Sequence, residues 1–244
     1  MKAKRILSFA LMMAAMLTAG CSADRQNAED KASGQAPGGQ IAATLEYPEL
    51  TMIGRSSVKL KTTDGTVIYI DPYAGDDSAY SEPADYIFVT HQDHDHNKVA
   101  KVEQKADTQI YIGHKDINAG DKLSFDNFKV EAVYAYNKNH PKGDGCGYIF
   151  SVDGIVLYHS GDTSMIDEMN DFGDRGITYA LLCADGVYNM GPDETMAVAK
   201  LIDAKHVIPM HTSGSGDYDE KNDQAVALDN AVHMKPGDVI SLKP

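Results

Sequence analysis

The sequence predicts an α/β fold in which two β-sheets pack against each other beneath helices. Short runs rich in Val, Ile, Tyr and Phe recur along the chain, and turns such as TTDGT and SVDGI separate them. Helical patterns are fewer and lie between these runs, an arrangement typical of packed sheets that helices cover. With 244 residues, the chain is long enough for one substantial domain or two small ones.

The N-terminus predicts an export signal. Two lysines and an arginine precede the apolar stretch 6–19, which is too short to span a bilayer as a stable helix. The stretch runs into LTAGC at 17–21, which resembles the lipobox of bacterial lipoproteins, whose cysteine becomes the lipidated first residue. We therefore expect residues 1–20 to be a lipoprotein signal peptide and the protein to be extracytoplasmic, anchored to a bacterial membrane by lipid on Cys21. A plain secretory signal with an incidental cysteine is the alternative.

The composition of the rest of the chain predicts a tether followed by a folded domain, and its charge argues against a nucleic-acid partner. Residues 21–44 are rich in Ser, Ala, Gln, Gly and Asp without apolar periodicity, which predicts a flexible tether before a folded domain at 45–244. Removing three basic residues with the signal leaves a net charge of −17, since 19 basic residues then face 36 acidic ones. Such a surface repels nucleic acid and anionic lipid, so we expect no nucleic-acid partner.

The predicted elements follow in chain order. Strands are expected at 57–61, 66–70, 86–90, 108–112, 129–136, 147–152, 155–159, 179–183, 207–210 and 239–242. Helices are expected at 98–104, 165–172, 193–202 and 224–232. The third helix has the clearest start, because Gly191 and Pro192 precede two acidic residues there.

Polar side chains follow five of the predicted strands. Asp71, His91, His140, Asp162 and His211 each come directly after such a strand or lie in the loop that follows it. In layered α/β folds, ligands collect where loops leave the carboxyl ends of strands. Coincidence explains any one of these positions but explains all five poorly, so we expect one shared site.

The densest of these clusters is THQDHDHN at 90–97, which contains three histidines and two aspartates. Neutral imidazole and carboxylate together form a metal-ligand set, and close spacing lets several side chains converge without a long ordered loop. A solvated polar turn is the alternative, and it accounts poorly for three of the chain's nine histidines after a buried strand.

This stretch resembles the HxHxDH signature of the metallo-β-lactamase superfamily, with Asp93 where the second histidine usually stands. Further blocks occur in the family's order: IGRSSVKLKTTDGTVIYIDPYAG, YNKNHPKGDGCGYIF, YHSGDT and DGVYNMGPDETMAVAKLIDAKHVIPMHT. The last two most resemble the branch that contains ascorbate-6-phosphate lactonase-like proteins. The resemblance covers the chain from Leu45 onward and implies a four-layer αββα sandwich.

The resemblance also implies a ligand set for two divalent metal ions. His91, Asp93 and His140 would hold the first metal, Asp95, His96 and His211 the second, and Asp162 would reach both. A hydroxide between the metals would be the nucleophile, and Asp95 and Asp162 are the expected catalytic carboxylates. Asp71 is a candidate for accepting a hydrogen bond from a ligating imidazole, and a simple turn residue before Pro72 is the equal alternative.

Asp93 changes the charge of this implied site. Two divalent metals, three carboxylates and one hydroxide sum to zero, whereas a histidine at position 93 would leave one positive charge. The extra carboxylate should weaken Lewis acidity and favour harder ions. We expect zinc, with manganese or iron as the alternatives.

Several other residues have two interpretations. The favoured interpretation of His94 is that it faces solvent or supports a ligand. In the alternative, it acts as a substitute metal ligand or as the acid that protonates the leaving group. Tyr188 and Asn189 lie in a loop that would pass near the metals, where loop packing is favoured over substrate contact. Cys146 and Cys183 lie in apolar strands, which slightly favours free thiols over a disulfide.

The sequence therefore predicts a metal-dependent hydrolase that cleaves an ester, lactone or phosphodiester bond in a small molecule. The altered ligand at Asp93 supports one rival, a catalytically inactive metal-binding surface lipoprotein. A solute-binding lipoprotein shares the lipobox and tether, but the chain lacks the length for a second lobe.

Overall fold

The computed structural model describes residues 44–244 and contains twelve strands in this range. In chain order they are β1 (Glu49–Gly54), β2 (Ser57–Lys61), β3 (Val67–Ile70), β4 (Ala84–Val89), β5 (Gln104–Ile112), β6 (Lys122–Ser124), β7 (Phe128–Tyr134), β8 (Cys146–Val152), β9 (Ile155–His159), β10 (Tyr179–Cys183), β11 (His206–Met210) and β12 (Val239–Ser241). They form two six-stranded sheets, with the orders β12-β1-β2-β3-β4-β5 and β11-β10-β9-β8-β7-β6.

Both sheets mix parallel and antiparallel pairs. The strands β3, β4 and β5 run parallel, as do β9, β10 and β11, while the remaining neighbours in each sheet are antiparallel. All five residues of β10 are buried, as expected for a parallel strand covered on both faces. The parallel strands point their carboxyl ends to one edge of each sheet, where loops can meet.

The main hydrophobic core lies between the two sheets. Leu60 and Phe88 from the first sheet pack in one cluster with Phe150, Leu181 and Ile208 from the second, and all five are fully buried. Removal of such apolar surface from water is the dominant favourable term in folding. The predicted arrangement of packed sheets is confirmed.

Helices cover the outer faces only sparsely. The helix α1 (Pro192–Leu201) packs with the outer face of the second sheet through a cluster that includes Val198 and Leu182. The helix α2 (Glu220–Ala225) has six residues, and short 3-10 turns lie at Asp77–Tyr80, Val99–Lys101, Asp167–Asp171 and Gly173–Arg175. The outer layers of the sandwich are therefore thinner than the sheets between them.

Three of the four predicted helices differ from the structure, and two of them differ most. Residues 98–104 contain one 3-10 turn, and Gln104 already begins β5 by pairing with Ala84 of β4. The helix predicted at 224–232 starts earlier, because the Asp219 carboxylate accepts hydrogen bonds from the backbone amides at the helix start. It ends at Ala225, since residues 230–232 leave the helix and bond to the edge of β11 at Val207.

The remaining differences concern short elements. The helix predicted at 165–172 is a 3-10 segment at Asp167–Asp171, and the strands β1 and β6 were not predicted. The strand β6 has three residues and none of them is buried, so its sequence carries little apolar signal. The strands at 57–61, 155–159 and 179–183 have the predicted bounds.

Cys146 and Cys183 are both buried and unpaired. Burial raises the pKa of each thiol to about 12. The favoured expectation of free thiols is confirmed, and both side chains pack as small apolar groups.

The expected signal peptide at 1–20, the lipidated Cys21 and the tether from 21 to 43 lie outside the described residues. Within 44–244, none of the helices combines the length and the apolar character needed to cross a bilayer.

We predict that Gly113→Ala destabilises the domain, because a Cβ atom at this position would overlap the main-chain oxygen of Thr90. That oxygen is held in place by a 2.9 Å hydrogen bond from the Cys146 amide and cannot move freely. The free energy of unfolding should fall by about 1–3 kcal/mol, measured by urea denaturation. Gly173→Ala is the matched control, since the nearest atom lies 3.7 Å from its Cβ position, and it should change the value by less than about 0.5 kcal/mol.

Candidate metal centre

The five polar groups expected at strand ends meet at one edge of the sandwich. Asp71 directly follows β3, His91 lies two residues after β4, and His211 directly follows β11. Asp162 follows β9 by three residues, and His140 belongs to the loop between β7 and β8. The two sheets therefore contribute to the centre together, which agrees with the expectation of one shared site.

Asp162 lies in the middle of three imidazoles. Its Oδ1 atom is 3.3 Å from His96 Nε2, while its Oδ2 atom is 3.6 Å from His211 Nε2 and 3.8 Å from His140 Nε2. The ring centroids of His91 and His96 are 4.1 Å apart. One carboxylate thus faces both halves of a compact histidine cluster.

The possible ligand atoms form two overlapping groups. His91, Asp93 and His140 make one group and Asp95, His96 and His211 make the other, with ligand atoms within 4.8 Å of one another in each. A third combination, His91, His96 and Asp162, connects the two. All seven predicted ligands are therefore close enough to act as two ligand sets joined by Asp162.

The chemistry of the donors fits divalent cations. The Nε2 atoms of His91, His96 and His211 and the Oδ1 atom of Asp162 are buried and make no hydrogen bond. Most buried polar atoms in proteins have a partner, and a cluster of orphaned atoms calls for one. Imidazole nitrogen and carboxylate oxygen are donors that zinc, manganese and iron accept.

A buried carboxylate, Asp71, orients two of these histidines. It lies 2.8 Å from Nδ1 of His96, and it accepts hydrogen bonds from the backbone amide and the hydroxyl of Thr90, each at 2.7 Å. The same hydroxyl lies 3.0 Å from Nδ1 of His91. Asp71 therefore directs the Nε2 atom of His96 toward the centre, which is one of the two interpretations that the sequence left open, and it supports His91 through Thr90.

A second carboxylate, Asp185, lies beside Nδ1 of His211 and was missed in the sequence. Its Oδ2 atom lies 3.1 Å from His211 Nδ1. Its Oδ1 atom accepts hydrogen bonds from the backbone amides of residues 187–189, the nearest at 2.6 Å from Tyr188. The available signal was its position two residues after β10, the same strand-end pattern that identified the other groups.

Charges inside the centre favour a cation there. Burial lowers the pKa of His91 to about 4, with a further contribution from His96, so this imidazole is neutral at pH 7. Burial alone would raise the pKa of Asp162, but His96 and His211 hold it well below its usual range. Burial alone would lower the pKa of His96, but the carboxylates of Asp162 and Asp71 raise it well above its usual range. The two carboxylates thus favour a positive charge between them.

The two aspartates of the HxHxDH-like stretch have different surroundings. The side chain of Asp93 is 57% exposed, and its carboxylate lies 4.0 Å from His91 Nε2. Asp95 is more enclosed, and its Oδ2 atom lies 2.6 Å from Nη2 of Arg55. Arg55 was not among the predicted site residues.

Three of the six described non-glycine residues with a positive φ belong to this centre. Arg55, Asp71 and His211 have φ angles of 51°, 48° and 44°, in the left-handed region that non-glycine residues rarely adopt. Such strain persists only where surrounding contacts hold it, and it tends to accumulate at functional sites.

A cavity of about 490 Å³ opens onto the candidate ligands. Its walls include Tyr73, His94, Asn139, Tyr188 and Ser215. The side chain of His94 is 78% exposed, in agreement with the favoured solvent-facing interpretation. Tyr188 is 48% exposed and lines the cavity, so its side chain is accessible to a bound molecule.

Two further histidines, His159 and His206, make contacts outside the candidate ligand set. His159 is buried, donates through Nε2 to the Ser56 carbonyl at 2.9 Å and accepts through Nδ1 from the Gly161 amide at 3.3 Å. It therefore fixes the turn that leads to Asp162. His206 stacks on Tyr179, outside the centre.

Comparison with known proteins agrees with this geometry. A family model described as the β-lactamase superfamily domain matches residues 49–211. A crystal structure from Parabacteroides distasonis aligns with a TM-score of 0.65 and 28% identity, covering 77% of this chain and 91% of that chain. The chain belongs to the metallo-β-lactamase superfamily, and its αββα sandwich is the fold of that superfamily.

Curated relatives within this superfamily are metal-dependent hydrolases. A UPF0173 metal-dependent hydrolase of Pyrococcus furiosus is 30% identical over an alignment of 207 positions that covers 72% of this chain and 92% of the relative. Another, from Methanoregula boonei, is 31% identical over an alignment of 181 positions that covers 66% of this chain and 81% of the relative. The chain is a metal-dependent hydrolase of the superfamily.

We predict that Asp71→Asn weakens metal binding about 10- to 100-fold, because an amide cannot accept from Thr90 and His96 as a carboxylate does. Titration of metal-free protein with Zn²⁺ against a chromophoric chelator measures the affinity. Asp77→Asn is the matched control, since the Asp77 side chain is 91% exposed. Equal affinities for the Asp71 variant and the parent protein would contradict the orienting role.

Proposed function

We propose that the protein hydrolyses an ester, lactone or phosphodiester bond in a small molecule, using two divalent metal ions held by the seven candidate ligands. The observation that carries the proposal is the convergence of orphaned buried atoms, His91 Nε2, His96 Nε2, His211 Nε2 and Asp162 Oδ1. Zinc is the first choice for the metals, and manganese or iron are the alternatives because of the additional carboxylate of Asp93.

When bound, a pair of such ions supplies a water activated at neutral pH and an electrophile for the substrate oxygen. The chain's own residues position these functions. Asp162 presents one oxygen toward His96 and the other toward His140 and His211, so it spans both ligand groups. Asp71 and Asp185 contact Nδ1 of His96 and His211, which leaves each Nε2 atom available as a ligand.

The cavity supports a small substrate. At about 490 Å³ it lies within the range typical of small-molecule sites. Tyr73 and Tyr188 give it apolar wall surface, and Asn139 and Ser215 give it hydrogen-bonding groups. A metal-binding protein without catalysis has no need of such a cavity over its ligands, so this feature favours the hydrolase over the inactive alternative.

The proposal includes the location of the enzyme. Lipid on Cys21 would tether the domain at a bacterial membrane outside the cytoplasm, with residues 22–44 as the connecting segment. The net charge of −17 after removal of the signal supports an anchor of lipid rather than attraction to anionic headgroups.

We predict that removal of metal abolishes hydrolysis and that added divalent metal restores it. Purified protein would be dialysed against a chelator and assayed on p-nitrophenyl esters, lactones and bis(p-nitrophenyl) phosphate, with elemental analysis in parallel. The expected result is two metal equivalents per chain in the active protein. Undiminished hydrolysis by metal-free protein would overturn the proposal, and two bound metals without turnover on any bond class would favour the inactive alternative.

We predict that Cys21→Ser releases the protein from the membrane, because the acylated thiol is lost. Fractionation of expressing bacteria, followed by immunoblotting, measures the distribution. Ser22→Ala retains the cysteine and should remain with the membrane. Membrane association of the Cys21 variant equal to that of the control would show that lipid at this residue is not the anchor.

A further inference from the structure

Arg55 places a positive charge beside a candidate metal ligand. Its Nη2 atom lies 2.6 Å from Oδ2 of Asp95, and only 9% of its side chain is exposed. Among the described residues that line the cavity, it is the only lysine or arginine. A cation at this point is unexpected, because it repels any metal ion that the same carboxylate binds.

The position of Arg55 is built by both sheets. It lies between β1 and β2 of the first sheet, where its backbone carbonyl accepts from the His211 amide at 2.8 Å. Its Nη1 atom donates to the Gly216 carbonyl at 3.2 Å, in the loop that follows β11 of the second sheet. The guanidinium is therefore fixed in place, and its contact with Asp95 is not that of a mobile surface side chain.

The negative charge of the candidate ligands explains why a cation such as Arg55 lies beside Asp95. Asp93, Asp95 and Asp162 bring three carboxylates to the centre, one more than a histidine at position 93 would leave. Asp93 itself is 57% exposed. Relative to a histidine at position 93, the Asp93 carboxylate lowers the net charge of the centre by one. The guanidinium of Arg55, beside Asp95, raises it by one.

We propose that Arg55 is a positioning residue that compensates for the charge of Asp93. It holds one oxygen of Asp95 and leaves the other for a metal, and it restores the positive charge that favours an electrophilic centre. The inference rests on the proposed two-metal function and goes beyond it, because it assigns a task to a residue that is not itself a ligand.

Compensation and simple positioning predict opposite effects on metal affinity. If Arg55 only positions Asp95, its loss misplaces a ligand and weakens binding. If Arg55 also supplies compensating charge, its neutral replacement removes repulsion and strengthens binding. At an effective dielectric constant of about 20, repulsion between charges on the two sides of one carboxylate is worth more than tenfold in affinity, so the charge effect should dominate.

The test compares Arg55→Gln with Arg55→Lys. Glutamine keeps a hydrogen-bond donor and removes the charge, whereas lysine keeps the charge. Titration of metal-free protein with Zn²⁺ and Mn²⁺ against a chromophoric chelator should show at least tenfold tighter binding for the glutamine variant and near-parental affinity for the lysine variant. Arg175→Gln is the matched control, since Arg175 pairs with Glu131 at 2.7 Å away from the cavity, and it should leave affinity unchanged.

A double variant tests the link to Asp93. Asp93→His alone should weaken metal binding, and Arg55→Gln combined with Asp93→His should return the affinity toward the parental value. Circular dichroism and thermal unfolding of the metal-free variants confirm that each is folded. If the glutamine variant is not folded, Arg55→Met, which also removes the charge, is titrated in its place, and weaker or unchanged binding by that variant contradicts charge compensation.

The outcomes separate this inference from the proposed function. Absence of metal binding by the parental protein would overturn the proposed function. Metal binding by the parent together with weaker or unchanged binding by folded Arg55→Gln would overturn the compensating role alone.

Discussion

The Asp71 carboxylate is buried among three donors, the amide and hydroxyl of Thr90 and the imidazole of His96. A buried carboxylate without such partners costs several kcal/mol, on the order of the stability of a small domain. Asp71 therefore requires the end of β3, the end of β4 and the loop to His96 to adopt one mutual arrangement. The Ser57 hydroxyl adds to this by donating to the Asp71 carbonyl at 2.6 Å. The remaining ligands gather around a histidine pair that this network has already oriented.

The two sheets contribute different residues to the centre. The first sheet supplies the network around Asp71, and the second supplies Asp162 and His211 from β9 and β11. The core between the sheets fixes their separation, so the distances from Asp162 to the imidazoles depend on apolar packing far from the ligands. The position of His91 also depends on close approach of two backbone segments, since a Cβ atom at Gly145 would lie 2.7 Å from that of His91. The distances between the candidate metal ligands therefore depend on the packing of both sheets.

Local sequence predicted the parts of this structure that local patterns determine. Apolar runs identified ten of the twelve strands in residues 44–244. The resemblance of THQDHDHN, and of the three later blocks that contain His140, Asp162 and His211, to the motifs of one family gave the candidate ligands. Asp185 was missed although it follows β10 in the same strand-end pattern as the predicted groups. Arg55 was missed because arginine is not a metal ligand and its importance comes from contact with Asp95, 40 positions away. The helix predicted at 224–232 failed for a related reason. Its residues have helical character, but bonding to the edge of β11 outweighs that preference.

The separation of the ligands along the chain has a consequence for how the protein acquires its ions. His91 and His211 are 120 positions apart, and the Arg55 contacts extend to Gly216, so the centre forms only when nearly the whole domain is present. A growing polypeptide cannot load this centre early. Metal uptake by the complete centre therefore has to follow folding of the domain, and the metals present at that point contribute, together with donor type and geometry, to which ion the centre binds.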